Sequence, residues 1–193
     1  MPPEKEYVHL PWWTWIAPFF LILIAKLISI RFFYLDGFFY LYGSYVVALP
    51  LYFMWGSRVF IGNVLAESLT SNLTGIHSAE LVLVHGLANT AKPFIGYRSY
   101  RLLTRTSFFS KAPQSLWIIL FAIVIPVVLI NPILIGLRVG AGDFNLPIIL
   151  HRIIMQIVRD ILWGVMLSYP FMVKLAPYFK VKHLSRWPAE SNS

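Results

Sequence analysis

The sequence predicts an all-α fold, a polytopic membrane helix bundle of about six transmembrane helices. Three observations carry that expectation. The 193 residues are 58% hydrophobic and only 12% charged, about half the roughly 25% that a water-facing domain carries. Three long runs, residues 7–25, 37–57 and 112–137, hold no charged side chain at all and are long enough to cross a hydrocarbon core of about 30 Å. The cationic residues are also distributed unevenly between alternate connections, as membrane orientation requires.

Taken in order, helices are expected near 11–32, 37–56, 58–74, 78–101, 114–137 and 147–176, forming a single integral membrane domain over 1–193. Residues 1–10 and 177–193 are expected as a cytoplasmic N-terminus and a short cytoplasmic tail. The Trp12-Trp13-x-Trp15 cluster suits the interfacial belt at the first crossing. Three stretches are interrupted by polar residues: Asn63 and Glu67; Glu80, His85, Asn89 and Lys92; His151, Arg152, Gln156, Arg159 and Asp160. Each is otherwise apolar and joined to its neighbour by a short connection, so each is read as a span. The uncharged fifth run needs no partner in lipid. Pro18, Pro50, Pro93, Pro126, Pro132 and Pro170 lie in or near spans and are expected to bend them.

With both termini cytoplasmic, the inner connections collect Lys5, Arg58, Arg98, Arg101, Arg105, Lys111, Lys174, Lys180, Lys182 and Arg186. The outer ones collect only Arg31 and Arg138. This bias places the chain in a bacterial inner membrane, multi-pass. It also gives the net charge of +8 a reason other than nucleic acid, so no nucleic-acid partner is expected. There are no cysteines, which excludes disulfides, thiolate catalysis and Cys-ligated metals. The soluble-enzyme fingerprints Gly-x-Ser-x-Gly, His-Glu-x-x-His, the Walker loop and the Rossmann glycines are absent. A membrane enzyme using Glu67, His85 and Asp160 stands as an alternative, but nothing singles out a nucleophile, and the chain is read as non-catalytic. Asn72-Leu-Thr74 matches a glycosylation sequon, most simply by chance.

Ionisable groups within a bilayer are costly and normally face the bundle interior. Asn63 and Glu67 share one helix face. His85, Asn89 and Lys92 follow i, i+4, i+7, and Arg152, Gln156 and Arg159 repeat that spacing with Asp160 alongside. These nine residues are the candidate ligand-binding site or internal polar network, with Glu67, Glu80 and Asp160 available to neutralise Lys92, Arg152 and Arg159. Lys26 sits near the end of its span, where it can snorkel. His85 and His151, on different helices, could together ligate a haem iron. Lone hydrogen-bonded histidines are commoner, so no cofactor and no metal site are expected.

The turn Gly56-Ser-Arg58-Val-Phe60 with Gly62, and the helix ending Ser71-Asn72-Leu73, resemble the MASE-type membrane-associated sensor domains. Gly86, Asn89, Thr90 and Lys92 stand where that family carries Gly-Asn-Thr-x-Glu. Asp160, Gly164 and Pro170 are similar to its last span. The match covers about 44–103 and 155–172; Lys92 replaces an acidic residue, and the Trp-Pro-Pro-x-Gly motif is reduced to Pro50. The resemblance implies signal input through the membrane, passed to a separate membrane or cytoplasmic partner because no kinase or cyclase domain follows. Two alternatives stand beside it. One is a small-solute-binding component of a transporter, as in the small six-helix vitamin-transport subunits that this chain also resembles in size and charge. The other is a structural accessory subunit.

Overall fold

Apolar stretches of this composition fold as helices because a helix pairs its own backbone donors and acceptors. The computed structural model describes residues 10–35, 38–71, 73, 79–103, 114–139 and 146–175. Its helices are α1 (Ala17–Phe33), α2 (Gly43–Trp55), α3 (Val59–Ser71), α4 (Ala79–Leu103), α5 (Gln114–Trp117), α6 (Ile125–Val139) and α7 (Leu146–Trp163). A 3-10 turn, Trp12–Trp15, precedes α1. The π-helical residues Ile118–Val124 join α5 to α6 as one rod, and Gly164–Ser168 and Phe171–Leu175 prolong α7. The all-α expectation holds, save for a two-residue antiparallel ladder of β1 (Tyr34–Leu35) and β2 (Phe38–Phe39). Asn72 and Thr74 of the sequon, the Glu80 side chain and both termini lie outside the described residues.

Side-chain partners fix how the rods run. At the start of α2, the Gly43 amide donates to Ser29 Oγ in the last part of α1 (2.8 Å). At the far end of α2, Trp55 meets Trp13, with ring centroids 5.4 Å apart. Arg58 then bonds Leu10 O and Thr14 Oγ1 beside the start of α1, and Glu67 returns to Lys26. The chain therefore reverses between α2 and α3. Gly56 makes the reversal, at φ 66° and ψ −144°, a conformation open to glycine alone. Further along, Phe94 of α4 packs on Tyr52 of α2, Lys92 of α4 reaches Asn131 of α6, and Asn131 reaches Asp160 of α7. The six described rods alternate in direction.

Among the described residues, two helical stretches are long and apolar enough to cross a membrane, Gly43–Ser71 and Ile118–Gly136. The reversal at Gly56 divides the first into two 13-residue helices, each only about 20 Å long. The first is shorter than the expected span 37–56 because Phe38–Phe39 pair with Tyr34–Leu35 and helix α2 starts only at Gly43; the expected span 58–74 runs beyond Ser71 into residues outside those described. Length is not demanded of α2, which is buried from Ala48 through Trp55 and contacts α1, α3 and α4. Large apolar side chains instead face outward from the surrounding rods, among them Phe20, Ile24, Leu129, Ile133, Ile154 and Val158.

Two of the expected proline distortions take a specific form. Pro126 and Pro170 each follow a π-helical segment. A proline ring collides with the carbonyl four residues earlier, and widening the preceding turn relieves the clash. The fifth run also departs from its reading as partner-free. Val127 is fully buried, and Asn131 is buried and hydrogen-bonded.

Candidate functional site

Two buried ion-pair clusters lie within the bundle. In the first, Lys26 Nζ donates to Glu67 Oε2 (3.0 Å) and to the Tyr42 hydroxyl (2.9 Å), while that hydroxyl donates to the same carboxylate oxygen (2.7 Å). In the second, Lys92 Nζ donates to Asp160 Oδ2 (2.5 Å) and to Asn131 Oδ1 (3.0 Å). Asn131 Nδ2 closes that triangle on Oδ2 (3.1 Å), and Arg159 Nε binds the other carboxylate oxygen at 2.7 Å. Asp160 thus has both oxygens occupied by charged donors, the strongest class of hydrogen bond.

Tyr42 joins the clusters. Its ring lies 4.0 Å from Lys26 Nζ, 5.1 Å from Lys92 Nζ and 5.3 Å from the Arg159 guanidinium carbon, within cation–π range. The residues come from α1 (Lys26), the approach to α2 (Tyr42), α3 (Glu67), α4 (Lys92), α6 (Asn131) and α7 (Arg159, Asp160). One contiguous network therefore touches every rod. His85 extends it at the edge: its Nδ1 lies 3.1 Å from Ser71 Oγ and 3.1 Å from Asn89 Nδ2.

Of the nine residues expected from sequence, Glu67, Lys92, Arg159 and Asp160 lie in the network, with His85 and Asn89 beside it. Asn63 is buried one helical turn from Glu67, with its amide nitrogen unpartnered. Arg152 and Gln156 correct the expectation. Arg152 is exposed and Gln156 only half-buried, because the face they share with Arg159 is covered by neighbouring rods only toward the Arg159 end of α7. Lys26 corrects it in the opposite sense, being buried and paired rather than snorkelling. Among the described residues the ion pairs are Lys26–Glu67, Lys92–Asp160 and Arg159–Asp160, and Arg152 is in none of them.

The haem pairing is also not assembled. His85 is buried against α3, while His151 is exposed on α7, half a helical rotation away from Asp160. Among the described residues, no group of three or more His, Asp or Glu side chains is placed to hold a metal ion. Tyr42 and Asn131 were missed from sequence. Tyr42 carries no periodic signal, whereas Asn131 was visible as the lone amide in an apolar run. No family model matches this chain, and no curated protein or solved structure does either.

Proposed function

We propose that the chain is a six-span, non-catalytic sensory or receptor module of a bacterial inner membrane that signals to a separate membrane or cytoplasmic partner. Both termini are assigned to the cytoplasm. The observation that carries this reading is the network itself: a displacement at Tyr42 or Asp160 is felt by all six rods at once. Such a shared, strongly directional element suits two discrete arrangements better than gradual deformation. Outward-facing apolar side chains support the membrane setting. Arg58, Arg98, Arg101 and Lys174 at one end of the bundle, against Arg31 at the other, support the orientation.

The test compares Lys92→Gln, Arg159→Gln and Asp160→Asn, each for detergent melting temperature and for partner retention in native mass spectrometry from gentle detergent. Arg159→Gln leaves Lys92 on Asp160, so it should melt within a few degrees of wild type yet alter partner retention. The competing reading is a scaffold, favoured by the full pairing of both carboxylates. Under it, retention in all three variants would follow the folded fraction alone, and the receptor reading would fall.

A further inference from the structure

One buried ionisable side chain stands outside both ion-pair clusters. His85 is 3% exposed and lies against Ser71, the last residue of α3. Ser71 is one helical turn beyond Glu67, so His85 sits nearer than that carboxylate to the end of the bundle that holds Arg31. The charges around it belong to the network. Glu67 of α3 is within electrostatic reach of the ring, and Lys26 of α1 is paired with that carboxylate. On α4 itself Lys92 follows about two turns later, bound to Asp160. The other neighbours of α4 are α2 and the rod Ile118–Gly136, and they bring no charged side chain, only the Tyr45 and Tyr52 hydroxyls.

The hydrogen bonds around the ring suit its neutral form. Ser71 Oγ donates to the Glu67 carbonyl at 2.7 Å, which uses its one hydrogen. Toward His85 it therefore accepts, and Nδ1, 3.1 Å away, is the donor. Asn89 Nδ2 lies 3.1 Å from Nδ1 and 3.2 Å from Nε2, so the amide turns its donor edge to the ring. Neutral imidazole has a lone pair on Nε2 to meet that edge. Imidazolium has none and donates from both nitrogens, so it repels the amide NH2 and attracts the amide oxygen. Ser71 serves both forms unchanged, whereas Asn89 must turn over.

We propose that His85 is a proton-binding site and that its protonation is the stimulus this module reads. The proton comes from water and adds to Nε2. The imidazolium then reverses the Asn89 amide, one turn from Lys92, and competes with Lys26 for Glu67. This deepens the receptor reading and rests on it for the word stimulus; proton binding itself is measured without a partner.

The test is nuclear magnetic resonance of protein labelled at histidine ring and asparagine side-chain nitrogens, in phosphatidylcholine nanodiscs. Of the five histidines, His85 is identified by the signal lost in His85→Gln. It should be neutral and protonated on Nδ1 at about pH 8 and imidazolium at about pH 5, the interval in which histidine ordinarily changes charge. The Asn89 amide signal should move over the same interval, and stay fixed in His85→Gln. Asn89→Asp, which sets an anion against the ring, should raise the midpoint by about one pH unit or more. His85 still neutral at about pH 5, or an Asn89 signal indifferent to its charge, would overturn the site. Native mass spectrometry at the two pH values then tests the stimulus: partner retention should change in wild type and not in His85→Gln. A change shared by both would overturn His85 as the group that is read. Retention that follows only the folded fraction, beside a titrating His85, would instead remove the receptor reading and keep the proton site.

Discussion

Asp160 shows what one side chain does in this interior. Its carboxylate neutralises Lys92 and Arg159 together, and Asp160→Asn would leave both facing a neutral amide away from water. Breaking a buried pair costs about 3–5 kcal/mol, so this variant should lose most of its folded yield, read as a large fall in detergent melting temperature. Arg152→Gln is the contrasting case. Arg152 is exposed on the same helix, and its loss should change stability by less than about 0.5 kcal/mol. Equal melting losses for the two would contradict the network. The contrast also shows how much of the site was legible. The spacing of His85, Asn89 and Lys92 correctly placed all three on one buried face. Identical spacing in Arg152, Gln156 and Arg159 misled, because periodicity names a face without saying how far along the helix that face stays buried. Lys26 was misplaced because its position near a helix end permits snorkelling equally well, and only the facing Glu67 and Tyr42 decide otherwise.

Helices were legible as elements, since long apolar runs with few charges have few other solutions in lipid. The start of α2 was not, because residues 38–42 are as apolar as the helix they precede and no side-chain cap marks the boundary. Gly56 is where local sequence imposes its own constraint. Alanine there would hold a side chain at φ 66°, and its Cβ would lie 3.1 Å from the Tyr97 hydroxyl. Strain of this kind costs about 1–3 kcal/mol. Gly56→Ala should therefore lower the melting temperature, while Ser57→Ala, on an exposed neighbour, should not. The rod containing α6 offers a second test at this scale. Ile133 faces outward and is 54% exposed. Ile133→Arg would set a charge against lipid at about 2.5–3.5 kcal/mol on insertion scales and should reduce membrane yield. Undiminished yield would mean that this face meets water or another protein.

At the scale of the whole molecule, an apolar core encloses the Lys26–Glu67, Lys92–Asp160 and Arg159–Asp160 ion pairs, while large apolar side chains such as Phe20, Leu129 and Ile133 are exposed. The proposed membrane setting would cover those outer faces, and it ties the charge bias to a sidedness that can be measured. The alternation of rods puts Ser57, at the α2–α3 reversal, at the same end as Arg58, Arg98 and Arg101. Leu35, in β1 beyond α1, lies at the opposite end and is 61% exposed. The chain has no native cysteine, so a single introduced thiol reports unambiguously. Ser57→Cys should react with a membrane-impermeant maleimide only after the cytoplasmic side is opened, and Leu35→Cys should react in intact spheroplasts. Neither position is part of the ion network, so neither substitution should disturb the fold. The reverse pattern would invert the topology while leaving the bundle intact. Labelling of both positions from one side would break the six-span reading at its root, because α2, the one rod between them, could not then be crossing.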